Sequence, residues 1–346
     1  MLTEQAVHAW RRARRWVGTR LANRALILAY HRIAPAETDP WSLCVSPSHF
    51  AEHLEVLRAT MHPLPLRQAV AKQRLPSRSV VVTCDDGYVD ALTHAKPLLA
   101  RTDIPATVFV TTGPLGSARE FWWDDLDRLL LQPGTLPSTI RVTVSGTLYE
   151  WHPAGDACYS IEEQRRHTGW RAFNRTDPTI RHRIYRSIWQ LMHPLPESEQ
   201  QSILAQLRAC LCAEPAGRPT HRSLAPGEVA ALAAGDLIDI GAHTVTHPSL
   251  ARLPLTQQRE EITHSKQALE AILGRPVLSF AYPFGTRTDY TAQTVTLVRE
   301  AGFACACSDF QGLVERHTDR FQLPRMSVHD WDGDEFARRL QGWSYA

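Results

Sequence analysis

Short apolar, β-branched runs recur along this chain and alternate with segments of helical periodicity, the signature of a parallel sheet or barrel. Six runs predict strands, at Leu26–Tyr30, Val80–Cys84, Thr107–Thr111, Leu237–Gly241, Leu278–Ala281 and Phe303–Ser308. Between the first two, Ser46 and Pro47 open a helix as its cap and first-turn proline, and Phe50, Leu54 and Leu57 follow at helical spacing. A second helix, from Gln257 to Leu273, stops at Gly274, and Pro276 leads into the next strand. From about residue 114 to 225 the alternation breaks off. There FWWDDLDRLLL reads as an amphipathic helix and RVTVSGTLYEW as a hairpin turning at Ser145-Gly146, while further helices open near Thr176-Asp177-Pro178 and near Pro196. Alternation then resumes, so this stretch is a mainly helical insertion in one domain covering residues 24–346.

Polar residues fall just past the predicted strands. His31 follows the first, Asp85 and Asp86 the second, His243 the fourth, and the turn Tyr282-Pro283-Phe284-Gly285 the fifth. In parallel barrels and open α/β sheets the carboxyl ends of the strands are where sites assemble, and packing alone does not place four motifs on that edge.

Composition narrows the setting. A net charge of +2 over 346 residues gives no reason to invoke nucleic acid. The seven cysteines include two C-x-C pairs, Cys210/Cys212 and Cys305/Cys307, and no C-x-x-C. An odd count in a long chain argues against a disulfide framework and fits a reducing compartment. The N-terminus is basic and carries no apolar core of signal-peptide length, so the expected location is cytoplasmic. Residues 1–23 predict a basic helix that either lies on a membrane surface as a peripheral contact or is simply solvated.

The candidate chemistry sits in GAHTVTHP and VTCDDGY. Thr-Val-Thr between His243 and His247, with Pro248 behind them, disfavours a helix and predicts a loop leaving a strand. Two imidazoles and a distant carboxylate make a two-nitrogen, one-oxygen metal site with positions left open, which is what a hydrolytic metal requires. Asp-Asp-Gly is common turn chemistry, but a turn needs no pair of mutually repelling carboxylates directly after a buried strand. A metal relieves that repulsion by binding one of them, and the other is then a natural general base. The adjacency also disfavours a glycosidase, whose carboxyls flank a bond from roughly 5 Å or more apart.

TCDDGYVD, GAHTVTHP and FAYPFG, in this order, resemble the successive motifs of the polysaccharide deacetylases, the NodB-homology or family 4 carbohydrate esterases. The resemblance covers residues 24–113 and 226–330. It implies a distorted (β/α) barrel with fewer than eight strands. It also implies one divalent metal, usually zinc, and removal of acetate from an N-acetylated sugar or polysaccharide. Carried over residue by residue, Asp85 resembles the general base and Asp86, His243 and His247 the metal ligands. Tyr282 and Phe284 match the segment shaping the acetyl pocket, where a backbone N–H near Phe284 or Tyr88 serves as oxyanion donor.

This chain departs from the pattern in three places. Cys84 stands where phenylalanine is usual and reads as a buried strand residue. Ala281 replaces the arginine that orients the base, so Arg325 in LPRMSV, counted with Tyr282 and Phe284 among the substrate-binding residues, either does that job from another strand or forms a structural ion pair. No late Leu-x-His is evident; Tyr30-His31 matches a subgroup that opens with a Tyr-His strand, which favours His31 over His329 as general acid. In the insertion, Trp122 and Trp123 offer faces for sugar rings or a buried helix face. Arg165, Arg166, Arg171, Arg175, Arg181, Arg183 and Arg186 offer phosphate clamps or a solvated surface. The expected function is metal-dependent N-deacetylation in cell-surface polysaccharide or glycolipid assembly. The alternatives are a deacylase or amidase of the same fold on O-acetyl or non-sugar substrates, or a non-catalytic carbohydrate-binding barrel.

Overall fold

Runs that are apolar throughout can be buried on both faces, and the chain spends them on one parallel sheet. The structure is a computed structural model that describes residues 24–71, 75–153, 155 and 157–343; the basic helix expected within residues 1–23, with its membrane contact, lies outside them. Seven strands define the sheet: β1 (Ala25–Tyr30), β2 (Ser79–Cys84), β3 (Ala106–Val110), β4 (Ile238–Ala242), β5 (Ser279–Ala281), β6 (Cys305–Cys307) and β7 (Met326–Ser327). Their order is β6-β5-β4-β3-β2-β1-β7, every pairing is parallel, and a two-residue strand, His62–Pro63, joins the start of β2. The sheet curls into a half-barrel, the expected distorted barrel with fewer than eight strands.

All six predicted strands hold to within two residues at either end, β6 being the trimmed core of the run from Phe303. Leu278 drops out of β5 because it is half exposed at the sheet's lower end. The predictions did not include β7, whose two residues are too few to show a period. Register aligns the strand ends: Tyr30 pairs with Cys84, Val110 with Ala242, and Ala281 with Cys307. Because all strands run the same way, the residues that follow them share one edge.

Alternation along the strands divides the core in two. Leu26, Leu28 and Tyr30 face the larger apolar cluster with the helices, while Ala25 and Ile27 face a second cluster with Val81, Phe109, Ala281 and both Cys305 and Cys307. Around the sheet run α1 (Pro47–Thr60), α2 (Lys96–Thr102), α3 (Pro226–Ala233), α4 (Leu255–Leu273), α5 (Ala292–Glu300) and α6 (Gly333–Trp343). Ser46 caps α1 through the His49 N–H, with Pro47 in the first turn, and α4 ends at Gly274. Among the described residues no helix is long and apolar enough to cross a membrane.

The described residues form two compact units. The half-barrel is built from the segments up to Pro35, Cys44–Leu115 and Leu224 onward; Ala36–Leu43 and Gly116–Ser223 form the other. The second unit holds helices Trp122–Leu130, Ile161–His167, Ile180–Met192 and Glu197–Leu211, and the hairpin Ile140–Val144/Thr147–Trp151. Thr179, not Thr176, caps the third helix, while Asp177 pairs with Arg186. Trp122 and Trp123 are buried inside this unit, Trp123 stacked on Phe121 at 4.7 Å and Trp122 against Trp189 at 5.6 Å, so neither presents a face to a sugar. Arg181 is buried too, donating to the carbonyls of Leu130, Gln132, Gly134 and Ala157. Arg165, Arg166, Arg175 and Arg183 are exposed.

A buried histidine ties α1 to α6. His53 accepts from the Tyr30 hydroxyl at Nδ1 (3.3 Å), donates from Nε2 to the Trp331 carbonyl (2.7 Å) and stacks on Phe336 at 4.1 Å. Burial lowers its pKa to about 4, against the pull of the Trp331 carbonyl. The neutral ring is therefore the native form. The unfolded chain takes up a proton below about pH 6.5, which the native state resists until about pH 4. Stability should fall as pH drops through that window, by about 3 kcal/mol for this group at full shift. Urea midpoints between pH 7 and 4.5 should slope less steeply in His53→Gln; equal slopes would show that His53 does not carry the effect.

Candidate metal centre

Asp85 and Asp86 end β2 and leave it in different directions. Asp85 continues the sheet, its N–H donating to the Tyr30 carbonyl at 3.0 Å. Asp86 turns into the left-handed region with φ +70°, which aspartate tolerates better than most residues. Gly87 follows at φ +80°, and a Cβ there would lie 3.0 Å from Val110 Cγ1, so both conformation and space call for glycine.

The two side chains find partners on opposite sides. Asp85 turns towards the β1–β7 side, where Arg325 meets both of its oxygens at 2.7 Å. The guanidinium also donates to the Ser308 carbonyl at 2.7 Å and to Thr83 Oγ1 at 3.2 Å, and Arg325 is buried. Arg325 thus pairs with Asp85, the contact that either reading of it requires, and its guanidinium faces the carboxylate rather than solvent. Burial alone would raise the Asp85 carboxyl, but the charge and hydrogen bonds of Arg325, with His243 and His31 behind them, hold it below its ordinary value.

Asp86 turns towards β4. Its Oδ1 lies 3.5 Å from His243 Nε2 and 3.3 Å from His247 Nε2, and the three potential ligand atoms fit within 4.8 Å of one another. All three residues are buried. His243 Nδ1 donates to the Ala281 carbonyl at 2.8 Å, which leaves Nε2 with its lone pair towards Asp86. Burial keeps the His247 imidazole below its ordinary pKa in spite of Asp86, so the ring is neutral, the form that binds a cation. Asp86 itself is driven well below the carboxylate range by the two imidazoles, against burial. Asp86 Oδ1 is buried without a hydrogen-bond donor. An orphaned buried anion beside two imidazole nitrogens is costly on its own and well matched to a divalent cation.

The remaining predicted residues surround this pair. Phe284, at φ +57°, sets its ring edge-on to His247 at 4.8 Å, and Gly285 (φ +63°) passes so close to Asp309 that a Cβ would meet its N–H nitrogen at 2.7 Å. Tyr282 is buried beneath the turn, stacked on Tyr290 at 4.0 Å with its hydroxyl donating to the Phe321 carbonyl; it supports the turn from below. Cys84 is a buried strand residue whose thiol burial pushes far up, which disfavours a thiolate. His31, half-buried at the end of β1, exerts its charge on Asp85, Asp86 and Asp309. His329 packs against Trp331 at 5.1 Å, just past β7.

Asp309 escaped the sequence reading. It follows the last predicted strand as the other polar residues follow theirs, and that position was the available signal. Ser327 donates to it at 3.1 Å, and its carboxyl is raised above its ordinary value by burial, with Asp85 adding, against Arg325 and His31.

The Arg325–Asp85 pair is buried on both sides, so removing one partner strands the other. Arg325→Met should lower stability by about 3–5 kcal/mol, and adding Asp85→Asn should restore much of it. Denaturant unfolding of the single and double variants checks this, and an unchanged midpoint in Arg325→Met would refute the pair's structural weight.

The sequence model described as polysaccharide deacetylase matches residues 72–134 and 206–306, which include Asp85, Asp86, His243 and His247. Comparison with curated proteins gave no match. Among solved structures, the putative polysaccharide deacetylase BA0330 from Bacillus anthracis is similar at 15% identity and TM-score 0.56, over 92% of this chain and 69% of that one. IcaB from Ammonifex degensii is similar at 17% identity and TM-score 0.54, over 94% and 98%. The Streptococcus pyogenes deacetylase PplD, solved with acetate, is similar at 15% and 0.51, over 92% and 99%. At these identities the structures speak for the fold. With the matched motifs and the fold in agreement, the chain belongs to the polysaccharide deacetylase family.

Proposed function

We propose that the chain is a metal-dependent hydrolase that removes acetyl groups from N-acetylated sugars in cell-surface carbohydrate assembly. The observation that supports this best is the division between neighbouring carboxylates: Asp86 faces two imidazole nitrogens, and Asp85 is clamped in both oxygens by Arg325. A fold with two metal-binding carboxylates, or with none spare, would not serve acyl hydrolysis in this way. Of the solved structures named above, PplD is described as a deacetylase and was solved with acetate, and BA0330 is described as a putative polysaccharide deacetylase.

A divalent cation, zinc by the chemistry of the donor set, would polarise the acyl carbonyl and acidify water beside it when held by Asp86, His243 and His247. Asp85 takes the proton that the attacking water loses. Arg325 fixes the plane of its carboxylate and keeps it ionised, so the base enters each turnover already deprotonated. His31 directly follows β1, the strand paired with β2, and hands a proton to the leaving amine. Phe284 and the turn around it close the side of the pocket next to His247, where the methyl group of acetate needs an apolar wall.

Acetate release from free, polymeric and nucleotide-linked N-acetylhexosamines, with zinc and with chelator, tests the reaction. Release that requires metal is the expected result. Asp85→Asn should retain zinc while turnover falls by about 10²–10⁴-fold, and His243→Ala should lose both. Equal metal loss in the two variants, or activity untouched by chelator, would overturn the assignment.

A further inference from the structure

The loop that carries His243 and His247 is held in an unfavourable backbone shape. Thr244 has φ +63° and His247 φ +60°, and a β-branched residue in that region is a true outlier. Part of the restraint is internal, since the His247 N–H donates to Thr244 Oγ1 at 3.0 Å. Part comes from the end of β3, where the N–H groups of Thr112 and Gly113 donate to the carbonyls of Thr244 and Val245 at 3.1 and 2.7 Å. The third restraint comes from α4. Glu261 Oε2 accepts the N–H groups of both Val245 and Thr246 at 2.8 Å, and Oε1 accepts the Thr246 hydroxyl at 2.7 Å.

We propose that Glu261 is a positioning residue for the metal: its carboxylate locks the His243–His247 loop in ligand-ready form before the cation arrives. The inference rests on the metal-binding reading of Asp86, His243 and His247. Two successive N–H groups converging on one oxygen form an anion-binding nest, and a charged acceptor holds such donors more tightly than a neutral one. Without it, the residues between the histidines can relax out of the left-handed conformation and carry the imidazoles away from Asp86. A cation would then have to order the loop as it binds. The hydrogen bonds of Glu261 go to Val245 and Thr246, between the two histidines, so it acts on the metal site through that loop.

The test is the zinc affinity of the full chain, prepared metal-free and titrated against a chromophoric chelator. E261Q keeps shape and packing but replaces a charged acceptor by a neutral one and leaves the Thr246 hydroxyl proton without its acceptor. It should weaken zinc binding by about 10- to 100-fold, the range seen when outer partners of metal ligands are removed. Thr246→Val, which deletes one of the three hydrogen bonds, should give a smaller loss in the same direction and serves if E261Q does not fold. E300Q, removing the exposed partner of Arg259, is the control and should bind as wild type. Wild-type affinity in both E261Q and Thr246→Val overturns the proposal while leaving the metal site intact. A wild-type chain that binds no zinc overturns the metal reading and this proposal with it.

Discussion

Arg325 meets both oxygens of Asp85 inside the protein, and that contact is what allows a second carboxylate to stand next to it. Two buried anions on consecutive residues repel strongly where water cannot screen them. The fold answers by giving each its own positive or coordinating partner on a different side. β2 lies between β3 and β1, so one side of its end looks towards β4 and its histidines and the other towards β7 and Arg325. The sheet order thereby fixes which aspartate meets the guanidinium and which meets the two imidazoles. Replace that order and the same Asp-Asp dipeptide has no way to split its roles.

Backbone strain gathers around the same point. Asp86, Thr244, His247 and Phe284 all have positive φ, and each such non-glycine position costs on the order of 1 kcal/mol or more. Strain persists only where surrounding hydrogen bonds over-determine the conformation. Here those bonds are visible: the Asp86 carbonyl accepts from Thr111, the Thr244 carbonyl from Thr112, and Gly285 exchanges bonds with Asp309 and Pro283. The restraints from Thr111, Thr112 and Asp309 come from neighbouring strand ends. The half-barrel thus works as a frame whose rigid edge keeps several disfavoured turns in place.

Much of this was legible in the sequence. The strand runs, Asp85-Asp86, His243 and His247 announce themselves by period, position and residue type, and the structure brings the last four together. Arg325 announces nothing by itself. Its partner lies 240 residues away, and the contact depends on β7, whose two residues carry no periodicity. Asp309 and Glu261 were missed for a similar reason. A single carboxylate after a strand, or on a helix face, is ordinary solvated chemistry until the fold shows what it faces. Trp122 and Trp123 show the opposite hazard: aromatic residues that suit a sugar platform equally suit a helix core, and burial decided for the core.

Two carboxyls near Arg325 are also driven apart, Asp85 by the guanidinium's hydrogen bonds and charge and Asp309 by burial that outweighs that charge. Arg325 binds Asp85 through two hydrogen bonds, while on Asp309 it acts through charge at a distance. Asp85 is pushed down and Asp309 is pushed up, although both are buried in one neighbourhood. Environments that drive neighbouring titratable groups apart are the usual way a site holds an acid and a base at the same pH. A carboxylate held low is a weak proton acceptor, so Asp85 can serve as a base only where the donor has been made unusually acidic. The three-ligand pocket beside it is suited to create that donor. On the proposed reading, the low Asp85 carboxyl and the Asp86–His243–His247 cluster are therefore not independent features; each would be of little use for hydrolysis without the other.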